Sequence, residues 1–196
     1  MSLITKVKAG SVSSLSDARY FAGMGADWLG FDVNPTSNSF VSVELYKNLE
    51  GWVSGPKRVI EMHGYFDPDI GKILADYEPD FIELDLGQVG QLPLGFNAFA
   101  KTDLQNLSFE YLIRYAQRIE YLVLQIDNPF VEIDAIRKIA DQVRILLSIQ
   151  PDFKECQKAI AELPIAGIAL TGSKELKTGI KSYDYSEILE SLEDEP

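Results

Sequence analysis

Residues 6–33, KVKAGSVSSLSDARYFAGMGADWLGFDV, read as strand, helix and strand in succession. The opening run, begun near Ile4, is too brief for a helix, and the closing run, begun near Ala26, is equally short and apolar. Between them Ser14 to Asp17 has the form of a capping box: a hydroxyl residue with an acid three positions on, which satisfies the first free N–H groups of a helix. Two strands joined through a helix run parallel, because the crossover returns the chain to the same end of the sheet.

Working outward, the same alternation continues to the end of the chain. Further strands are predicted to begin near Arg58, Asp80, Phe96, Glu120, Val143 and Ile165, which makes eight, the number that closes a barrel. Asp67-Pro68, Asn128-Pro129 and Gln150-Pro151 are read as helix starts with proline at the first helical position, where its missing N–H costs nothing. Residues 86–95, LGQVGQLPLG, contain internal glycines and a proline, so the fourth helix is expected to be missing or a single turn. Such trimming fits eight units into 196 residues, where ~250 is usual. The expectation is an α/β chain forming one small (β/α)8 TIM barrel over residues 1–196 with a shortened or missing fourth helix. An open doubly wound sheet is the runner-up, but KAGSVSSL after the first strand has one glycine and no GxGxxG.

Composition agrees with a globular chain, at 46% hydrophobic and 24% charged residues. Apolar runs are far shorter than the ~20 residues that span a bilayer, and no charged-then-apolar leader precedes the first strand, so no membrane association and a cytoplasmic location are expected. Cys156 is alone, which rules out an internal disulfide and a four-cysteine metal site and leaves a buried or incidental thiol as its reading. A net charge of −12 without a basic stripe repels a phosphate backbone, so nucleic acid is not expected as a partner. The acidic ending EILESLEDEP reads as a solvated last helix, and Trp28 and Trp52, in apolar-periodic runs, read as core.

Chemistry in such a barrel sits at the C-terminal strand ends, and strand alternation selects the side chains that reach it. Ile82, Leu84 and Leu86 face the helices, leaving Glu83 and Asp85 inward; the same parity turns in Glu61 and His63, Gln125 and Asp127, and Ser148 and Gln150. On strand one Val7 packs outward while Lys6 and Lys8 point in, and Asp32 and Lys101 are additions at the ends of strands two and five. So many ionisable groups need mutual pairing or a ligand. Glu61, His63, Glu83 and Asp85 have the chemistry to approach a divalent metal, but with one histidine no metal and no other cofactor is expected. Thr171, Gly172, Ser173 and Lys174 follow strand eight and can offer backbone donors, hydroxyls and a cation to an anion.

Residues 6–42 carry Asp17-Ala18, Gly25-Ala26-Asp27, Gly30-Phe31 and Phe40-Val41-Ser42, and in these motifs the stretch resembles the opening of phosphoribosylanthranilate isomerase. Residues 167–192, GIALTGSKELKTGIKSYDYSEILESL, resemble that family's eighth strand, phosphate loop and last helix; the middle matches in element order. The resemblance implies an isomerase of tryptophan biosynthesis acting on a small phosphorylated sugar or similar anion, as a monomer or homodimer. It also implies four departures. The family's catalytic cysteine falls on Lys8 or Ala9, its catalytic aspartate near Gln125 with Asp127 two residues on, its substrate-binding arginine on Ser39, and its Gly-Gly on Ile149-Gln150.

Three readings follow. In the first the chain is a sugar-phosphate isomerase performing an Amadori-type aldose–ketose rearrangement with an altered active site, Asp127 as acid and a desolvated Lys8 as base. In the second, GADWLGFDV resembles the second strand of ribulose-phosphate 3-epimerase, Asp32 matching its metal-binding aspartate. In the third the barrel is non-catalytic, a ligand-binding or partner protein whose strand-end charges neutralise one another.

Overall fold

A computed structural model of the chain describes residues 3–67, 69–96, 98–150, 153–172, 175–177, 180–181 and 185–194. Eight parallel strands close into a barrel in sequence order: β1 Lys6–Gly10, β2 Trp28–Asp32, β3 Lys57–Glu61, β4 Phe81–Asp85, β5 Ala98–Asp103, β6 Ile119–Gln125, β7 Ile145–Ser148 and β8 Gly167–Thr171. The closing pair is β1 with β8, in register from Lys6 opposite Gly167 to Gly10 opposite Thr171. Each strand starts within two residues of the apolar run that predicts it. Around the barrel lie α1 Leu15–Gly23, α2 Val43–Glu50, α3 Ile70–Tyr77, α4 Phe109–Tyr115, α5 Ile133–Ala140, α6 Cys156–Glu162 and α7 Ser186–Ser191. A small antiparallel pair, β9 Glu175–Lys177 and β10 Ile180–Lys181, follows β8.

Local chemistry explains the helix starts and corrects three of them. The Ser14 hydroxyl accepts the Asp17 N–H at 3.2 Å, as the capping-box reading requires. Pro129 does not open a helix. Asp69, not Asp67, caps α3 by accepting from Lys72 N at 3.2 Å, while Asp67 folds the preceding turn through Asp69 N and the Tyr65 hydroxyl. Asn128 likewise accepts the Phe130 N–H at 3.1 Å in a side-chain turn, and α5 begins later, at Ile133. The helix after β7 starts only at Cys156, and Pro68 and Pro151 themselves lie outside the described residues. Between β4 and β5 the fourth helix is a 3-10 turn, Leu86–Gln91. A Cβ at Gly90 would overlap the Tyr115 ring, so glycine there lets α4 close over the shortened crossover.

Strand parity divides the buried side chains into two cores. Val7, Leu29, Ile60, Ile82, Leu84 and Leu122 belong to the large one between barrel and helices. Trp28, Val59, Phe99, Tyr121, Val123, Leu146 and Ala169 fill the barrel interior, with the Trp28 ring edge-on to Phe99 and Tyr121 at 5.4 and 5.0 Å. Trp52 departs from the core reading: it is 66% exposed and packs on the Arg19 guanidinium at 5.2 Å, because it follows Gly51, where α2 has already ended. Cys156 is buried as read, and burial pushes its thiol up to about 11. No helix among the described residues is long and apolar enough to cross a membrane.

Candidate functional site

Above the interior aromatic layer, β1, β3 and β4 each turn a charged side chain into the barrel. Lys8, Glu61 and Glu83 are at most 2% exposed. The Lys8 ammonium pairs with Glu61 Oε1 and lies 2.9 Å from Glu83 Oε2. His63, just beyond β3, brings Nε2 to 2.8 Å from Glu83 Oε1 and Nδ1 to 3.6 Å from Asp85 Oδ1. Both contacts are ionic in distance without the alignment of a hydrogen bond. Asp85 also accepts the Gly64 N–H at 2.8 Å. The five groups form one chain from the sealed interior to the solvent, its outer members being His63 and Asp85 with 24% and 45% of their side chains exposed.

The charges decide one another's protonation. Burial works against the charged Lys8, but the Glu61 and Glu83 carboxylates outweigh it and hold the ammonium well above its ordinary range. Burial also opposes a charged His63, yet Asp85 and Glu83, with Glu61 behind them, raise it to about 9. Glu83 is pushed up by burial and brought far below the carboxylate range by Lys8 and His63. Asp85 is lowered chiefly by His63 and further by the Gly64 N–H, against its own burial. Lys8 therefore points inward as read, where two buried carboxylates favour its ammonium form over the free lone pair that a base uses.

Two glycines make room for Glu61. A Cβ at Gly30 would overlap Glu61 Oε1 and approach the Gly10 Cα to 3.0 Å, and one at Gly10 would stand 2.5 Å from the same oxygen. Glu61 Oε2 accepts the Ser11 N–H at 2.7 Å and faces the Ser11 hydroxyl at 3.2 Å, holding that residue at a left-handed φ of 52°. Gly30→Ala is expected to destabilise the fold by about 1–3 kcal/mol through overpacking, read as a lower urea midpoint at unchanged slope. A midpoint equal to that of the parent would show that Glu61 can leave its slot freely.

The remaining sequence-selected residues are placed less uniformly. Lys101 follows the inward parity of β5 beside Asp85, and with Asp85, Thr102, Asp103, Asn106 and Tyr111 it lines a groove of about 390 Å³. Gln125 and Asp127 line an adjoining cleft of about 450 Å³ that shares Asp103 and Asn106. Asp32 is buried and turned to its own loop, accepting the Asn34 N–H at 2.9 Å. Ser39 sits in that loop, donating its N–H to the Ser37 hydroxyl, and lines neither groove. Ser148 is half-buried at the end of β7, and Gln150 is exposed beyond it. At the end of β8 the expected backbone donors are already used: Thr171 N–H donates to the Tyr185 hydroxyl at 3.3 Å and Gly172 N–H to the Gly10 carbonyl at 2.5 Å. Ser173 and Lys174 lie outside the described residues.

Sequence reasoning missed Asp103, Asn106 and Ser11. β5 runs on through the polar Lys101-Thr102-Asp103, which no apolar run announces. For Glu61's slot a signal existed, since Gly30 stands inside a strand between the large apolar residues Leu29 and Phe31. Donor atoms of Glu61, His63 and Glu83 do come within 4.8 Å of one another, but the Lys8 ammonium stands on both carboxylates.

No family model matches the sequence, and no curated protein matches it. Solved structures do. The chain is similar to phosphoribosyl anthranilate isomerase from Thermotoga maritima, with a TM-score of 0.72 at 16% identity over 96% of this chain and 100% of that one. It is similar to a phosphoribosyl anthranilate isomerase in complex with reduced 1-(o-carboxyphenylamino)-1-deoxyribulose 5-phosphate, with a TM-score of 0.69 at 18% identity over 94% and 95% of the two chains. A phospho-2-dehydro-3-deoxyheptonate aldolase from Thermotoga maritima also matches, with a TM-score of 0.63 at 17% identity over 95% of this chain and 66% of that one. An aldolase among the matches means that the likeness carries no reaction by itself. What it carries is the fold: this chain is a (β/α)8 barrel built like phosphoribosylanthranilate isomerase.

Proposed function

We propose that the chain is an acid–base isomerase of small sugars, of the Amadori aldose–ketose kind, working with His63 and Asp85. The observation that carries this reading is the position of Asp85, which belongs both to the buried charged chain and to the groove along β4 and β5. His63, cationic at neutral pH, is the acid: it protonates the ring oxygen of a ribosylamine as the C1–O bond opens. The iminium so formed acidifies the C2 proton, so that even the weakly basic Asp85 carboxylate can take it. The resulting enaminol gains a proton at C1 and loses one from the C2 hydroxyl, leaving the ketose with no net change in atoms. Asp127, the acid read from the sequence, lines the adjoining cleft and in this account contacts the substrate without taking part in proton transfer. Lys101 is the cation in the groove lining and the residue we assign to an anionic substituent such as a phosphate.

Thermal unfolding with the reduced carboxyphenylamino-deoxyribulose phosphate, and with phosphorylated and unphosphorylated pentoses, tests the binding half. A ligand at about a hundred times its Kd stabilises by about 2.7 kcal/mol. For a sugar that binds and turns over, Asp85→Asn is expected to keep the stabilisation and lose about 10²–10⁴-fold in kcat. Stabilisation without turnover in the parent protein would favour the non-catalytic reading, which the mutual pairing of Lys8, Glu61 and Glu83 also supports. The absence of any shift across the panel would remove sugars as the ligand class.

A further inference from the structure

We propose that Glu61 is a positioning residue that acts through Lys8: by taking a share of the buried ammonium it leaves Glu83 able to hold the His63 ring at the mouth of the barrel. The inference rests on the acid role given to His63 above. The geometry is a relay in which Lys8 touches Glu61 and Glu83, Glu83 touches His63, and His63 touches Asp85. Glu61 ends that relay on the inner side, and the space for it is built by the two glycines of β1 and β2. Its second oxygen pins Ser11, so one carboxylate fixes both the loop after β1 and the cation beneath the site.

Charge counting gives the consequence. With Lys8 shared between two carboxylates the buried triad is net negative and favours a cation at His63. Without the Glu61 charge, Lys8 and Glu83 form a neutral pair, and the ring keeps its contacts with Glu83 and Asp85 but loses the net negative charge of the triad behind them. Asp85 and Lys101, the other charges near the ring and its carboxylates, are unchanged by this substitution.

His63 is the only histidine, so its ring protons report unambiguously in an NMR titration. Glu61→Gln keeps an oxygen for the Ser11 N–H and removes the charge. It is expected to weaken proton binding at His63 by about tenfold, while the Ser11 amide stays protected from exchange. The double variant Lys8→Met/Glu61→Gln removes both members of the inner pair and leaves Glu83 charged against His63. It is expected to return the ring to within about twofold of the parent proton affinity. Should Glu61→Gln fold poorly, the double variant decides alone: Glu83 loses Lys8 there but keeps His63 as its counter-ion. An unchanged titration in Glu61→Gln, or a double variant about tenfold weaker than the parent, overturns the role of Glu61. Both comparisons are between variant and parent, so they stand apart from whether the parent value itself suits an acid.

Discussion

Lys8→Met is expected to cost about 3–5 kcal/mol of folding stability, because it leaves Glu61 and Glu83 buried with no cation between them. The size follows from what is left behind more than from the contacts removed. A buried carboxylate without its partner keeps its desolvation penalty, and the low-dielectric interior that strengthens the native pair makes the orphan equally costly. The two glutamates will respond by taking up protons, so the deficit should narrow as pH falls into the carboxylate range. Adding Glu61→Gln and Glu83→Gln to Lys8→Met removes the orphan charges and should recover most of the loss. Urea unfolding of the three proteins checks this directly. A Lys8→Met variant within about 0.5 kcal/mol of the parent, the range of an ordinary surface substitution, would mean that the ammonium is not enclosed as described.

The second large effect is a loss of stability on the alkaline side of neutrality. His63 rises from 6.5 to about 9 on folding, so the native state binds a proton that the unfolded chain gives up. Its contribution is fully present below pH 6.5 and disappears as pH rises through about 9. At about 1.4 kcal/mol per pH unit of difference the whole effect is about 3 kcal/mol. Glu83 and Asp85, lowered in the folded state, contribute in the opposite sense: their share is present above the ordinary carboxylate range and is lost on acidification. Lys8, raised above its ordinary value of 10.5, does not begin to weaken the fold until pH passes that value. The result is a stability maximum on the mildly acidic side of neutrality. His63→Asn should flatten the decline between pH 6.5 and 9. A parent protein equally stable at both ends of that window would show that the ring is not charged by its neighbours.

How much of this was legible in the sequence differs between the barrel and its mouth. Period-two alternation turned Lys8, Glu61 and Glu83 inward, and all three are there, because a strand with one face against helices and one inside a barrel has no other register open to it. The role of Lys8 was not legible. Alternation says that a side chain points in but not how far it stands from a carboxylate, and that distance decides how strongly the ammonium form is favoured. The groove was missed for a related reason, since β5 continues through polar residues whose composition is that of a loop. Pro129 and Trp52 misled in the same local way: each lies just outside a helix that the pattern alone would extend to include it. The resemblance in the first forty residues fell mainly on the scaffold, and Ser39, the ligand position it carried over there, lines neither groove.

The central claim is that a sealed set of charges makes a cationic acid of the one histidine at the barrel mouth. Its most direct test is the NMR titration of the His63 ring in the unmodified protein. The account predicts a midpoint near 9. A midpoint at or below 6.5, the value of an isolated imidazole, would contradict it.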